Sequence, residues 1–157
     1  MSNTMKTTTQ LSEHFTLKEA TDSLKASSLG IANTPTSAQI ETLKISAIGM
    51  ERVRALLGNK PIKVNSWYRS AILNAAIKGS KNSQHMLGEA IDFICAAFGT
   101  PREICKLLVQ YADLIRYDQL ILEPTWVHIS FAIVSKPAPR KQALTLTPAG
   151  KKLVGIV

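Results

Sequence analysis

The sequence predicts an α+β fold in which helices pack on a mostly antiparallel sheet. Segments with helical periodicity occupy most of the first half of the chain, whereas strand patterns are concentrated in the second half. Two of these strand patterns are separated only by Pro124-Thr125, which is a hairpin signal and favours antiparallel pairing. The chain has 157 residues, 45% of them hydrophobic, which suits one domain with a single core.

Capping motifs and apolar periodicity locate the helices. Thr16-Leu17-Lys18-Glu19 is a capping box, and Thr100-Pro101-Arg102-Glu103 adds proline at the first helical position to the same pattern. A regular apolar stripe from Ile40 to Leu57 predicts a long helix between them. Helices are therefore predicted over residues 16–26, 38–57 and 70–78, and another begins at residue 100. Residues 27–37, with glycine, asparagine and proline, are predicted to form a loop.

Alternation of apolar and polar residues locates the strands. Ile62 and Val64, for example, alternate with the polar Lys63 and Asn65. Strands are predicted over residues 62–68, 89–95, 119–123, 126–131 and 142–147. The polar segment 80–88, which glycines bound on both sides, is predicted to be a loop.

Composition narrows the classes of protein. Lys and Arg number 19 and Asp and Glu number 11, which gives a net charge of +8. A basic protein is attracted to polyanions such as nucleic acids, anionic membrane surfaces and anionic cell-wall polymers. The basic residues between Lys136 and Lys152 are interpreted as a solvated tail, and no motif of basic and aromatic residues indicates specific nucleic-acid binding.

Cysteine content and hydropathy indicate the compartment in which the protein is expected to be made. Cys95 and Cys105 form no CxxC motif and are interpreted as small buried residues rather than a disulfide framework. No apolar run approaches the roughly 20 residues of a transmembrane helix. Residues 1–10 are polar and lack the apolar segment of a secretory signal peptide, so we expect synthesis in the cytoplasm.

Three residues are candidate metal ligands. His85 lies in the polar loop, and Asp92 lies in an apolar strand where it points away from Ile91 and Phe93. An aspartate in such a strand is costly to bury unless it is paired or metal-bound. His128 alternates in the same way with the apolar residues of its own strand. If the two strands pair, Asp92 and His128 share a face, His85 can approach from the loop, and three ligands leave one position of a tetrahedral zinc open.

The residues taken alone leave other interpretations open. A single buried histidine is more often a hydrogen-bonded core residue than a ligand. Asp92 can equally pair with an arginine or a lysine.

The motif Ser83-x-His85-x-x-Gly88-x-Ala90-x-Asp92, joined to a distant Trp126-x-His128, resembles the zinc D-Ala-D-Ala carboxypeptidase family. That family includes vancomycin-resistance dipeptidases and phage endolysins that cut the L-alanyl-D-glutamate bond, and the likeness is closest to its short phage and prophage branch. The likeness covers residues 13–132, with matching segments at 15–20, 30–35, 66–70, 73–74, 79–92, 117–123 and 126–131.

The resemblance implies a fold and a domain organisation. It implies helices on a mostly antiparallel sheet that carries a single zinc site, as in the hedgehog and D-Ala-D-Ala-peptidase fold. We therefore expect a flexible N-terminus over residues 1–12, a zinc peptidase domain over residues 13–147 and a C-terminal tail over residues 148–157.

The resemblance also implies roles for individual residues. His85, Asp92 and His128 match the metal ligands, which implies one Zn²⁺ per chain. Arg69 matches an arginine that binds and polarises substrate, and a guanidinium suits a peptide carbonyl or a terminal carboxylate. Ser83 matches a substrate-contacting serine, although a hydroxyl there can also stabilise the turn.

The general base departs from the pattern of the dipeptidase branch. That branch has a glutamate three residues before the last histidine, where this chain has Thr125. The phage-like branch resembles this chain in having its glutamate at the end of the preceding strand, which is Glu123 here. Glu89 is a rival, but strand alternation turns it away from the metal-binding face. Asp118 is expected either to orient a metal-bound histidine or to pair with Arg116.

Together these matches imply a zinc-dependent peptidase that hydrolyses peptidoglycan stem peptides. Its expected partner is bacterial peptidoglycan, with no specific nucleic acid. We expect a monomeric phage or prophage endolysin that acts on the cell wall after release at lysis, or that is carried in a virion. Three alternatives stay open: a D,D-carboxypeptidase or dipeptidase on precursors, an inactive zinc-binding phage structural domain, and a nucleic-acid-binding protein whose affinity falls steeply with salt.

Overall fold

The computed structural model describes residues 9–157. The helices in this range are α1 (Leu17–Thr21), α2 (Leu24–Leu29), α3 (Ser37–Leu56), α4 (Ala71–Ala76), α5 (Pro101–Gln110) and α6 (Ala112–Ile115). The strands in this range are β1 (Lys63–Ser66), β2 (Ala90–Ile94), β3 (Gln119–Leu122), β4 (Val127–Ser130), β5 (Gln142–Leu146) and β6 (Lys152–Val154). A 3₁₀ turn over Gln84–Leu87 lies between α4 and β2.

The six strands of the described residues form one sheet in the order β1-β2-β4-β3-β5-β6. Neighbouring strands are antiparallel except for β3 and β5, which are parallel. The predicted hairpin is present, because β3 and β4 are antiparallel partners joined by a short turn. The α+β class with a mostly antiparallel sheet is therefore confirmed.

The first helix is shorter than predicted because a second cap interrupts it. The Thr16 capping box is present, but α1 ends at Thr21 and the side chain of Ser23 then caps α2, accepting the N–H of Ala26 at 3.1 Å. Serine favours such caps over helix interiors because its hydroxyl competes for backbone groups. Gly30 ends α2 with a φ of 65°, so the predicted loop begins only after it.

One face of the sheet forms the core together with the helices. Alternate residues of β2, β3 and β4 are buried on this face with residues of α3 and α5. This core includes Leu43, Met50, Val53, Ile91, Phe93, Leu108, Leu120 and Ile129. Because strand side chains alternate, Asp92 of β2 and His128 of β4 lie on the opposite face.

The expected division into an N-terminal segment, a domain and a C-terminal tail stays a prediction, and both ends of the described chain contact the rest of the fold. Residues 1–8 of the expected flexible segment lie outside the described residues. Beyond them, Gln10 forms a β-bridge with Thr16, and Leu11 is buried. Within the expected C-terminal tail, β6 pairs with β5 and extends the sheet.

Cys95 and Cys105 are free and buried, as their interpretation as small core residues predicts. None of the helices over residues 9–157 is both long and apolar enough to cross a membrane.

Candidate metal centre

The register of the sheet brings two of the candidate ligands together. Asp92 is the cross-strand partner of His128 on one side and of Ser66 on the other. Cross-strand partners present their side chains on the same face. Accordingly, Nδ1 of His128 lies 2.8 Å from Oδ1 of Asp92, so the predicted sharing of one face is confirmed.

His85 reaches the same point from the 3₁₀ turn. Ser83 begins this turn, and its side chain accepts the backbone N–H of His85 at 3.2 Å. The imidazole is buried, and its Nδ1 lies 2.7 Å from the carbonyl oxygen of Trp67. Because a carbonyl only accepts, Nδ1 must carry the hydrogen, and Nε2 of the neutral ring is left with a free lone pair.

That lone pair faces a carboxylate oxygen of Asp92, and this contact shows that a metal ion would fit between them. Nε2 of His85 lies 3.3 Å from Oδ2 of Asp92, is buried, and has no hydrogen-bond partner. Burial lowers the pKa of His85, and the charge of Asp92 raises it only in part. The lowered pKa favours the neutral ring. Two acceptors held this close in the interior are stabilised by a cation between them.

The donor set suits zinc. His85, Asp92 and His128 each offer one ligand atom, and these atoms all lie within 4.8 Å of one another. Two imidazoles and one carboxylate are ligands that zinc prefers, and three of them leave a coordination position open. Burial alone would raise the pKa of Asp92, but its neighbours, among them His128 at 2.8 Å, outweigh burial and hold this pKa well below the usual range. The carboxylate is therefore ionised and ready to bind a cation.

Arg69 lies beside the three candidate ligands. Its guanidinium donates to Oδ2 of Asp92 at 3.4 Å, to Oγ of Ser66 at 3.2 Å and to Oδ1 of Asn74 at 3.2 Å. Asn74 is itself buried in α4 and donates to the carbonyl of Ser80 at 2.9 Å. The predicted site residue Arg69 is thus held in place on three sides.

No role of its own was predicted for Asn74. A buried polar residue in the short α4 is the signal that could have identified it. Its neighbour Gly79 is also constrained, because a Cβ there would lie 2.2 Å from Oδ1 of Asn74 and 3.2 Å from a guanidinium nitrogen of Arg69.

Glu123 lies near the metal group at the end of β3. Its N–H donates to the carbonyl of Trp126 at 3.1 Å, which continues the ladder in which Ile121 pairs with His128. Strand alternation therefore places the Glu123 side chain on the same face as His128. The pKa of Glu123 is raised, mainly by burial. The charge of His128 lowers this pKa in part, and the charge of Asp92 raises it further. Its Oε2 is buried and has no hydrogen-bond partner.

Glu89, the rival general base, and Asp118 both have partners away from the metal group. Glu89 accepts the backbone N–H groups of residues 133–135 at 2.6–3.0 Å and also binds Ser135 and Gln84. Asp118 is fully buried and pairs with Arg140 at 2.7 Å and Lys136 at 3.4 Å. Both expectations for Asp118, a contact with a metal-bound histidine or with Arg116, are therefore wrong.

Trp126 has a further unsatisfied group that sequence patterns did not reveal. Its indole N–H is buried without a hydrogen-bond partner, and the residue directly precedes β4, two positions before His128. An indole N–H usually finds a partner when it is buried.

Comparison with known proteins agrees with this geometry. A segment of 43 residues, 27% of this chain, is 42% identical to the zinc D-Ala-D-Ala carboxypeptidase of Streptomyces albus G. The segment spans only 17% of that relative's length. The family profile of Peptidase M15 matches residues 13–130, which is well over half of the chain and includes all three candidate ligands. The chain therefore belongs to the Peptidase M15 family.

Proposed function

We propose that this protein hydrolyses the stem peptides of bacterial peptidoglycan and that it acts as a phage or prophage endolysin. The observation that carries the proposal is the buried, unpartnered Nε2 of His85 facing the ionised Asp92, with His128 beside them. The partial match to a D-Ala-D-Ala carboxypeptidase supports a cell-wall peptide as the substrate class.

His85, Asp92 and His128 would hold the zinc. A zinc ion in such a site lowers the pKa of water to about 7 and polarises a substrate carbonyl. Arg69 supplies a second positive charge next to Asp92, and the Ser66 and Asn74 contacts fix its orientation. We propose that this guanidinium binds the substrate carbonyl and stabilises the oxyanion that develops on it.

Glu123 is the proposed general base. The water oxygen attacks the carbonyl carbon while Glu123 takes one of the water protons. The C–N bond then breaks, and Glu123 passes this proton to the leaving nitrogen, so that a carboxylate and an amine are released. The raised pKa of Glu123 and its unpartnered buried Oε2 suit a group that must both accept and return a proton.

Ser83 is a proposed substrate contact. Its oxygen already accepts the His85 N–H, but within residues 9–157 its hydroxyl hydrogen donates to no protein atom. That hydrogen is therefore available to a substrate carbonyl near the metal ligands.

An endolysin role also implies a location and an oligomeric state for the protein. We propose a monomer that is made in the cytoplasm and reaches the cell wall at lysis or within a virion. The chain's net charge of +8 supports contact with anionic cell-wall polymers.

The match to the Streptomyces enzyme favours a second candidate, a D,D-carboxypeptidase that removes a terminal residue. Digestion of purified peptidoglycan followed by mass spectrometry separates the two. New termini inside the stem peptide would support the endolysin, and release of single D-alanine would support the carboxypeptidase. A zinc-loaded protein that leaves peptidoglycan and its soluble precursors intact would instead indicate an inactive zinc-binding domain.

A further inference from the structure

A cleft lies beside Arg69, and apart from Ser66 the other residues that line it have no role in the proposed mechanism. Its volume is about 730 Å³, and residues of α2, β1 and α4 line it. We call it the β1 cleft. Ser66 and Arg69 also line it, and both belong to the network that reaches Asp92. The β1 cleft is therefore connected to the candidate metal ligands through Arg69, which lines it and contacts Asp92.

One edge of the sheet lies in this cleft. β1 is the outermost strand at this edge and pairs with β2 along one side. Within the described residues, no backbone hydrogen bond joins the backbone groups of β1 to any segment other than β2. An exposed strand edge offers N–H and C=O groups that an extended peptide can pair with.

The charge of the cleft selects the kind of peptide. Lys25, Lys63 and Arg69 line it, whereas Asp22 is its one acidic lining residue and pairs with Lys18. In the described part of the chain, neither Lys25 nor Lys63 forms an ion pair, and both are exposed. The cleft thus has two available cations, and Leu24, whose side chain is 91% exposed, adds an apolar contact.

We propose that the β1 cleft binds the acidic peptide arm of the substrate, which adds to the open edge of β1 as an extended strand. Its carboxylates contact Lys25 and Lys63, and its scissile end lies at Arg69. The four residues of β1 accommodate an extended segment of about 13 Å, or roughly four residues. This inference rests on the proposed function for the identity of the peptide. Continuity with the metal centre and the charge of the lining favour substrate over an unrelated protein partner.

The test compares two double variants that change net charge equally. Lys25→Glu/Lys63→Glu reverses the two cleft cations, and Lys106→Glu/Lys151→Glu reverses two exposed lysines that do not line the cleft. The probes are a peptidoglycan stem pentapeptide with free carboxylates and the same peptide with its carboxylates amidated. KM and kcat are measured on zinc-loaded enzyme, and Kd is measured by NMR titration in a Glu123→Gln background.

We expect the cleft variant to raise KM and Kd for the acidic peptide about tenfold, with little change in kcat. For the amidated peptide the rise should be less than about twofold, and the control variant should resemble the wild type with both probes. Amide hydrogen exchange within residues 63–66 should also slow when the acidic peptide binds, as expected for new strand pairing.

The outcomes separate this inference from the proposed function. Normal cleavage and binding of the acidic peptide by the cleft variant would overturn the inference and leave the function standing. Lysine-dependent binding without cleavage by the wild-type enzyme would support the cleft and overturn the function. A wild-type protein that neither binds nor cuts the pentapeptide would overturn both.

Discussion

Nε2 of His85 and Oδ2 of Asp92 lie 3.3 Å apart in the interior, and His85 can offer only a lone pair to this contact because its Nδ1 faces the Trp67 carbonyl. The pair is therefore unfavourable without a cation and favourable with one. This relationship leads to the first prediction.

Metal analysis of purified protein should find about one zinc per chain, and His85→Ala should lose most of it. The variant should also lose the stabilisation that zinc binding adds to the folded state. His14→Ala is the matched control, because His14 is bonded to Glu51 and is not a member of the metal group. Unchanged zinc content in both His85→Ala and His128→Ala would exclude this ligand assignment.

Arg69→Ala should fold and retain zinc but lose activity by roughly 100-fold, because the guanidinium is proposed to stabilise developing negative charge. Arg69→Lys should restore little, since a point charge cannot make the forked contact. Steady-state kinetics on peptidoglycan fragments, with zinc content measured in parallel, check both variants. Wild-type activity in Arg69→Ala would reduce the residue to a structural ion-pair partner of Asp92.

Gly79→Ala should impair the same step without changing any proposed catalytic side chain. The new Cβ would displace Asn74, which orients Arg69 at 3.2 Å. We expect zinc binding close to that of the wild type and a fall in kcat that resembles the fall in Arg69→Ala. Circular dichroism and zinc content would distinguish this result from misfolding, and undiminished kcat would show that the Asn74 contact is dispensable.

Glu123→Gln should retain fold and zinc and lose activity by at least roughly 100-fold, because the amide keeps the shape of the side chain but cannot accept the proton. Glu41→Gln, at an exposed residue paired with Lys44, is the control and should be fully active. If Glu123→Gln is active and Glu89→Gln is inactive with zinc bound, the base is misassigned.

Asp118→Asn should change the pH dependence of stability. Arg140 and Lys136 outweigh the effect of burial and hold the pKa of Asp118 at about 2, below the value of about 3.9 for an unfolded chain. Because the folded pKa is the lower one, the ion pair contributes fully above about pH 4, and this contribution is lost as the pH falls towards 2. The loss amounts to roughly 2 kcal/mol.

Urea unfolding at several pH values checks this prediction. The free energy of unfolding of Asp118→Asn should be lower than that of the wild type at pH 7 and should fall less steeply between pH 4 and 2. Asp113→Asn, at a highly exposed carboxylate bonded to Lys141, should follow the wild-type curve closely. Identical slopes for Asp118→Asn and the wild type would refute the role of this ion pair.

Local signals in the sequence predicted the parts of the fold that depend on neighbouring residues. The capping boxes at Thr16 and Thr100 satisfy backbone groups within one turn and are therefore readable from four residues. The pairing of Asp92 with His128 followed from strand alternation once the two strands were taken to be adjacent.

Features that depend on distant residues were not predictable in this way. Asp118 is neutralised by Arg140, 22 residues later, although Arg116 is much closer in sequence. β6 has only three residues, which is too short for an alternating pattern to predict its pairing with β5. The cleft along β1 is lined in part by Asp22 and Ser23, which lie between α1 and α2, where one continuous helix was predicted.

The contacts of Glu89 have a consequence for handling the protein. This one carboxylate joins Gln84, which precedes His85, to residues 133–135 beyond the strand that carries His128. The two histidine-bearing segments are thus tied together by the polypeptide itself. We expect chelated protein to remain folded with its binding geometry intact, so that it can be purified and stored as an inactive apoprotein and reconstituted by adding zinc at the moment of use.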